Sequence, residues 1–150
     1  MLKGISPLLD ADLLHALRAM GHGDVIAIVD TNFPADRFAR TTTLGRPLKI
    51  SCPTAAEATA AILGVMPLDT FVEGAAVRME VVGAPDEIHA VQQEVQAAVN
   101  AAEGKDWPLT TLERFAFYER VSKAYCIVQT GERRFYGCFA FTMGVIPPEA

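Results

Sequence analysis

The stretch Met20-Gly21-His22-Gly23-Asp24-Val25-Ile26-Ala27-Ile28-Val29-Asp30 decides the fold. Val25 to Val29 is apolar without alternation, which is how a strand buried on both faces reads, and such a strand needs a sheet covered by helices. Upstream, Ser6 to Met20 carries Leu9, Leu13, Leu17 and Met20 at helical spacing, and Gly21 is expected to close that helix as a left-handed cap. Helix, glycine-flanked turn and buried strand in succession point to an α/β domain. Asp30 then ends the strand.

The remaining chain fits the same layout. Thr31 to Pro53 is irregular, with Leu48-Lys49-Ile50 as a short strand. Thr54-Ala55-Ala56-Glu57 has capping-box spacing and predicts a helix to Leu63, closed by Pro67-Leu68. Ala76 to Val82 alternates like a strand, and Pro85 opens a helix to about Asn100 with Gly104 after it. Tyr125 to Gln129 and Phe135 to Phe141, separated by a short polar segment, read as a β-hairpin or two neighbouring strands. With 150 residues, no repeat and no linker, the expectation is one compact α/β domain over residues 1–150, its mostly buried sheet flanked by helices.

Composition narrows the partners. Net charge is −5 and no basic run exceeds Arg133-Arg134, so neither nucleic acid nor an anionic membrane is expected, and a small neutral ligand fits better. Cys52, Cys126 and Cys138 are odd in number and far apart, suggesting reduced thiols in a cytoplasm rather than a disulfide framework. The N-terminal apolar run is too short for a signal peptide, and no stretch approaches the ~18 apolar residues of a membrane span. No His, Cys or carboxylate set has metal-ligand spacing, and no glycine-rich phosphate loop occurs, so neither metal nor cofactor is expected. The Leu9/Leu13/Leu17 face and the aromatic C-terminal strand are candidates for burial between subunits.

Four places could carry chemistry. His22 sits between two glycines in an exposed turn, and an imidazole can give or take a proton near neutral pH, although a solvated turn histidine looks the same. His15 and His89 read as helix-face residues. Asp30 lies at the carboxyl end of a buried strand, where α/β sheets bind ligands, or simply turns the chain. Arg114 offers a planar fork to hydroxyls or a carboxylate, or an ordinary ion pair with Glu113 or Glu119. Tyr136-Gly137 sets a phenol beside a residue with no side chain, open to a ligand or to a bulge. Neither Ser51 nor Cys52 stands in a nucleophile elbow.

Taken together, the opening Met1 to Leu9, the block Met20 to Asp24 with Asp30, Asn32-Phe33-Pro34, Arg114-Phe115-Ala116-Phe117-Tyr118-Glu119-Arg120, Thr130-Gly131-Glu132 and Tyr136-Gly137 resemble the L-fucose mutarotase / D-ribose pyranase family, on its fucose side. The resemblance is strong over residues 1–34 and 112–145 and thin between about 40 and 110. It implies a cofactor-independent isomerase that interconverts the α and β anomers of a free monosaccharide, L-fucose above all. It also implies a ring-forming homo-oligomer with sites between neighbouring subunits. By the same resemblance His22 is catalytic, and Asp30, Arg114, Tyr136, Gly137 and Cys138 bind substrate, with Cys138 standing where the family has Asn. A thiol is a weaker hydrogen-bond partner than an amide, so hydroxyl recognition there must differ. The alternatives are a D-ribose pyranase, another sugar mutarotase, or a non-catalytic monosaccharide-binding or transport-accessory protein.

Overall fold

The computed structural model describes residues 2–148, so Met1 of the quoted opening and the last two residues of the 1–150 domain lie outside it. In chain order the elements are α1 (Ala11–Ala19), β1 (Val25–Val29), α2 (Ala35–Ala39), β2 (Leu48–Lys49), α3 (Ala55–Leu63) and β3 (Ala76–Met79). They continue with α4 (Ala90–Glu103), β4 (Thr110–Leu112), α5 (Arg114–Ser122), β5 (Cys126–Gln129) and β6 (Phe139–Thr142). The strands form one six-stranded sheet in the order β2-β5-β1-β6-β3-β4. Only β6 pairs antiparallel with its neighbours β1 and β3, and every other pairing is parallel.

The period-2 alternation of a strand divides the core into two layers. Ile26 and Ile28 of β1, Val128 of β5 and Phe139 and Phe141 of β6 pack with Leu13 and Leu17 of α1, Ile62 of α3 and Val95 and Val99 of α4. On the other face Ala27, Val29, Ile127 and Ala140 pack with Phe33, Ala39, Phe117 and Val121 from around α2 and α5. This two-sided burial bears out the unbroken apolar reading of residues 25–29.

Several expectations need correction. The first helix begins at Ala11, where the Asp10 carboxylate accepts from Leu13 N, and it ends when Met20 turns extended at ψ 149°. Gly21 is therefore no left-handed cap; Gly23 (φ 87°) takes that conformation instead. Leu9, Leu13 and Leu17 are spent inside the protomer, as are Phe139 and Phe141, while Phe135 of the aromatic run stays exposed. The Thr54 hydroxyl accepts from Glu57 N, but the Glu57 carboxylate receives the Thr54 hydroxyl rather than a backbone N–H. Residues 76–79 are all buried and do not alternate. The fourth helix starts at Ala90 rather than Pro85, because the carbonyls of Pro85 and Glu87 turn inward to accept from Arg78. It runs to Glu103, and Gly104 (φ 66°) caps it as expected.

The largest correction concerns the last two strands, which are neither a hairpin nor neighbours. β1 lies between β5 and β6, so residues 130–138 cross over the end of β1. That crossing is fastened by Thr130 N to Val29 O, Thr31 N to Glu132 O and Gly137 N to the Asp30 carboxylate. Among the described residues no helix is long and apolar enough to cross a membrane.

The central position of β6 has a measurable consequence. Phe141→Ala, which removes a fully buried ring, is expected to cost about 3–5 kcal/mol. Thr54→Ala, which removes a helix cap, should cost only about 1 kcal/mol in the same urea unfolding experiment.

Candidate functional site

Because only β6 runs against the others, the carboxyl ends of β1 to β5 share one edge of the sheet with the start of β6. Asp30 follows β1 on that edge and is 4% exposed. Its Oδ1 accepts from Asn32 N at 2.9 Å and Phe33 N at 3.0 Å, which turns the chain into α2. Its Oδ2 accepts from Gly137 N at 3.2 Å and from the Cys138 thiol at 3.5 Å. Burial raises the Asp30 carboxyl above its ordinary range, and these donors work against that rise.

Tyr136, Gly137 and Cys138 thus arrive on Asp30 through the crossing segment. Gly137 is required there, since a Cβ would come within 2.8 Å of the Glu132 side chain and 3.2 Å of that of Asp30. Tyr136 adopts φ 61°, a left-handed backbone that aromatic side chains seldom take. Its hydroxyl accepts from Val82 N at 3.1 Å. Burial, with the neighbouring Asp30 charge, pushes the Cys138 thiol well above its usual range, so it remains a protonated donor and a poor nucleophile.

Asp30, Tyr136 and Cys138 line a cavity of about 350 Å³ together with Asn32, Phe33, Met79, Tyr118 and Phe135, and Gly137 stands behind that lining. Its walls are mostly aromatic or apolar, with Asp30, Asn32 and Tyr136 as polar points, and its volume lies within the small-molecule range. Arg114 is on the same edge as the first residue of α5 but outside this lining. Its guanidinium lies 4.7 Å from the Phe115 ring, and its buried Nε has no hydrogen-bond partner. Neither alternative ion pair forms: the Glu113 carboxylate caps α5, and Glu119 pairs with Lys123.

His22 lies at the opposite edge, before β1. Five strand residues at about 3.3 Å each put roughly 16 Å between the ends of β1, so one protomer does not bring His22 and Asp30 together. Half-exposed His22 lies with Nε2 3.0 Å from Oδ2 of Asp69, which is 2% exposed. A carboxylate can only accept, so Nε2 donates and Nδ1 is left clear of Asp69. The Phe71 ring packs edge-on against His22, at 5.7 Å between centroids. Sequence reasoning missed Asp69, since 47 residues separate it from His22 and no local pattern links them. It also misread His89, which stands at the N-cap of α4 with its ring 5.1 Å from that of Tyr136. Among the described residues no three His, Cys, Asp or Glu side chains converge as metal ligands.

Under the crossing segment, the Glu132 carboxylate accepts from Ala55 N, Arg134 N and the Arg134 guanidinium, which also pairs with Glu94. Burial alone would raise the Glu132 carboxyl, but these donors outweigh it and hold it at about 2.

Residues 3–146 match the RbsD / FucU transport protein family. The chain is 38% identical over 154 residues to a fucose mutarotase of Danio rerio, covering 99% of this chain and 97% of that protein. A crystal structure described as a putative sugar binding protein is 59% identical, with TM-score 0.95, and covers 98% of this chain and 97% of its own. The fucose mutarotase of Streptococcus pneumoniae in complex with L-fucose is 34% identical, with TM-score 0.82, over 97% of this chain and 100% of its own.

The Glu132 cluster generates a pH prediction. A carboxyl held below its unfolded value contributes stability above the ordinary carboxylate range, and that stability is lost as pH falls from about 4.5 towards about 2. Glu132→Gln should lower stability near neutral pH by about 2 kcal/mol and flatten the acid limb of a melting-temperature profile.

Proposed function

Because the chain belongs to the RbsD / FucU transport protein family, we propose that it is a mutarotase interconverting the α and β anomers of a free monosaccharide, with L-fucose as substrate. The full-length similarity to fucose mutarotases carries this reading. The cavity at Asp30 suits the substrate: aromatic and apolar walls for the faces and methyl group of a deoxy sugar, and polar groups for its hydroxyls.

Mutarotation needs two proton transfers and no redox step. One group removes the proton of the anomeric hydroxyl while another protonates the ring oxygen; the ring opens to the aldehyde, C1 turns, and the transfers reverse on the other face. His22 supplies one relay as general acid through Nδ1 when its ring carries both protons, the Nε2 proton being held by Asp69, and Nδ1 takes a proton back when the transfers reverse. Asp30 orients a hydroxyl with a charge fixed by four donors, and Tyr136 and Cys138 shape the wall that holds the sugar. Arg114 binds the sugar from the same edge.

The working site requires His22 from a neighbouring copy, since His22 and Asp30 occupy opposite ends of β1. Each edge exposes the apolar side chains such a contact would bury: Phe71, Val72, Val145 and Ile146 on the His22 side, and Val82, Phe115 and Phe135 on the other. One edge docking on the other is a head-to-tail contact, which closes a ring when the rotation between copies divides a full turn evenly. The three buried, unpaired thiols suit a reducing cytoplasm.

Exchange NMR of the anomeric protons tests the reading, with L-fucose, D-ribose, D-galactose and L-rhamnose as substrates. Enhanced exchange for L-fucose should fall by about 10²–10⁴-fold in His22→Ala and less in Asp69→Asn, with both variants folded. Full activity in His22→Ala refutes the role of His22, and binding without enhanced exchange favours a sugar-binding protein. Mixing His22→Ala with Asp30→Asn subunits should restore activity to about a quarter of sites if each site is shared between two copies. No recovery on exchange of subunits removes the shared site.

A further inference from the structure

The geometry points to Gln92 as a positioning residue for Tyr136, a role that rests on the mutarotase reading above. Tyr136 holds a left-handed backbone, which for a side chain of this size persists only where its surroundings over-determine it. On one side Gly137 N is tied to Asp30. On the other, the Tyr136 carbonyl accepts from Nε2 of Gln92 at 3.5 Å.

Gln92 is 1% exposed, on the first turn of α4. Nε2 also donates to Met79 O at 2.8 Å. Oε1 accepts from His89 N and from the Arg78 guanidinium, each at 3.2 Å. Both amide protons and both acceptor positions are therefore used, and no other side chain of that length offers the same set. Met79 and Tyr136 are cavity walls, and the His89 ring packs against Tyr136. One amide thus fixes two walls of the cavity and the backbone of the residue bracing one of them.

Arg78 strengthens the arrangement from behind. Its guanidinium donates to Gln92 and to the carbonyls of Glu87 and Pro85, so it pins the turn that brings His89 to Tyr136. Gln92 is absent from the lining of this cavity and acts through Tyr136 and Met79.

Gln92→Glu keeps the shape and the acceptors but sets carboxylate oxygens against the carbonyls of Met79 and Tyr136. Gln92→Met keeps the volume without a charge, in case the glutamate variant fails to fold. Either is expected to raise KM for L-fucose about tenfold while kcat changes by less than about threefold, the signature of a lost binding contact. Gln96→Met is the structural control: its amide donates to Asn100 Oδ1 and Trp107 O, away from Tyr136. It should lower the melting temperature and leave KM unchanged. An unchanged KM in a folded Gln92 variant, or a rise equal to that of Gln96→Met, overturns the proposal. If the unaltered protein accelerates no sugar, the mutarotase reading fails, and the crystal structure of Gln92→Met decides the positioning role by itself. Tyr136 leaving its left-handed conformation supports that role, and Tyr136 unmoved refutes it.

Discussion

A carboxylate buried at the end of a central strand must find donors, and Asp30 finds all of them in backbone and side chains from two distant parts of the chain. Burying an unpaired carboxylate would cost several kcal/mol. Here two N–H groups of the turn after β1 and one from Gly137, with the Cys138 thiol, satisfy it. The segment 130–138 therefore cannot lie elsewhere without leaving that charge unmet. Tyr136 and Cys138 owe their places on the cavity to it.

The direction of the strands governs the rest. One antiparallel strand among parallel neighbours collects the carboxyl ends of β1 to β5 at one edge and leaves the His22 turn at the other. A histidine and a carboxylate eight residues apart in sequence are thereby held at opposite poles. Within a rigid sheet no side-chain rotation closes that gap. Exposed apolar side chains remain at both edges, which is what the proposed sharing of a site between copies requires.

Polar groups inside an apolar protein are used here to hold irregular backbone. Glu132 ties the crossing segment to the start of α3 and, through Arg134, to Glu94 on α4. Gln92 and Arg78 fasten the turn ahead of α4 and the carbonyl of Tyr136. Both networks are satisfied by direct hydrogen bonds, the condition under which a buried polar cluster selects one conformation. Loops so held present a shaped wall to a ligand.

Local periodicity determined the elements: the apolar run 25–29, the capped helix from Thr54 and the glycine stop at Gly104 all stand, because each rests on interactions within a few residues of chain. The sequence also singled out Asp30 by its place after a buried strand and Tyr136-Gly137 by a phenol beside a bare backbone, while Cys138 entered through likeness to a family; the structure gathers these residues at one edge of the sheet. Tertiary structure alone decided strand order, with β1 parting the two last strands, and so the enclosure of Asp30. It alone paired His22 with Asp69 and turned His89 and Gln92 towards Tyr136. These depend on contacts between residues tens of positions apart. Spacing reports which face a side chain takes, and only the packed sheet determines what it meets there.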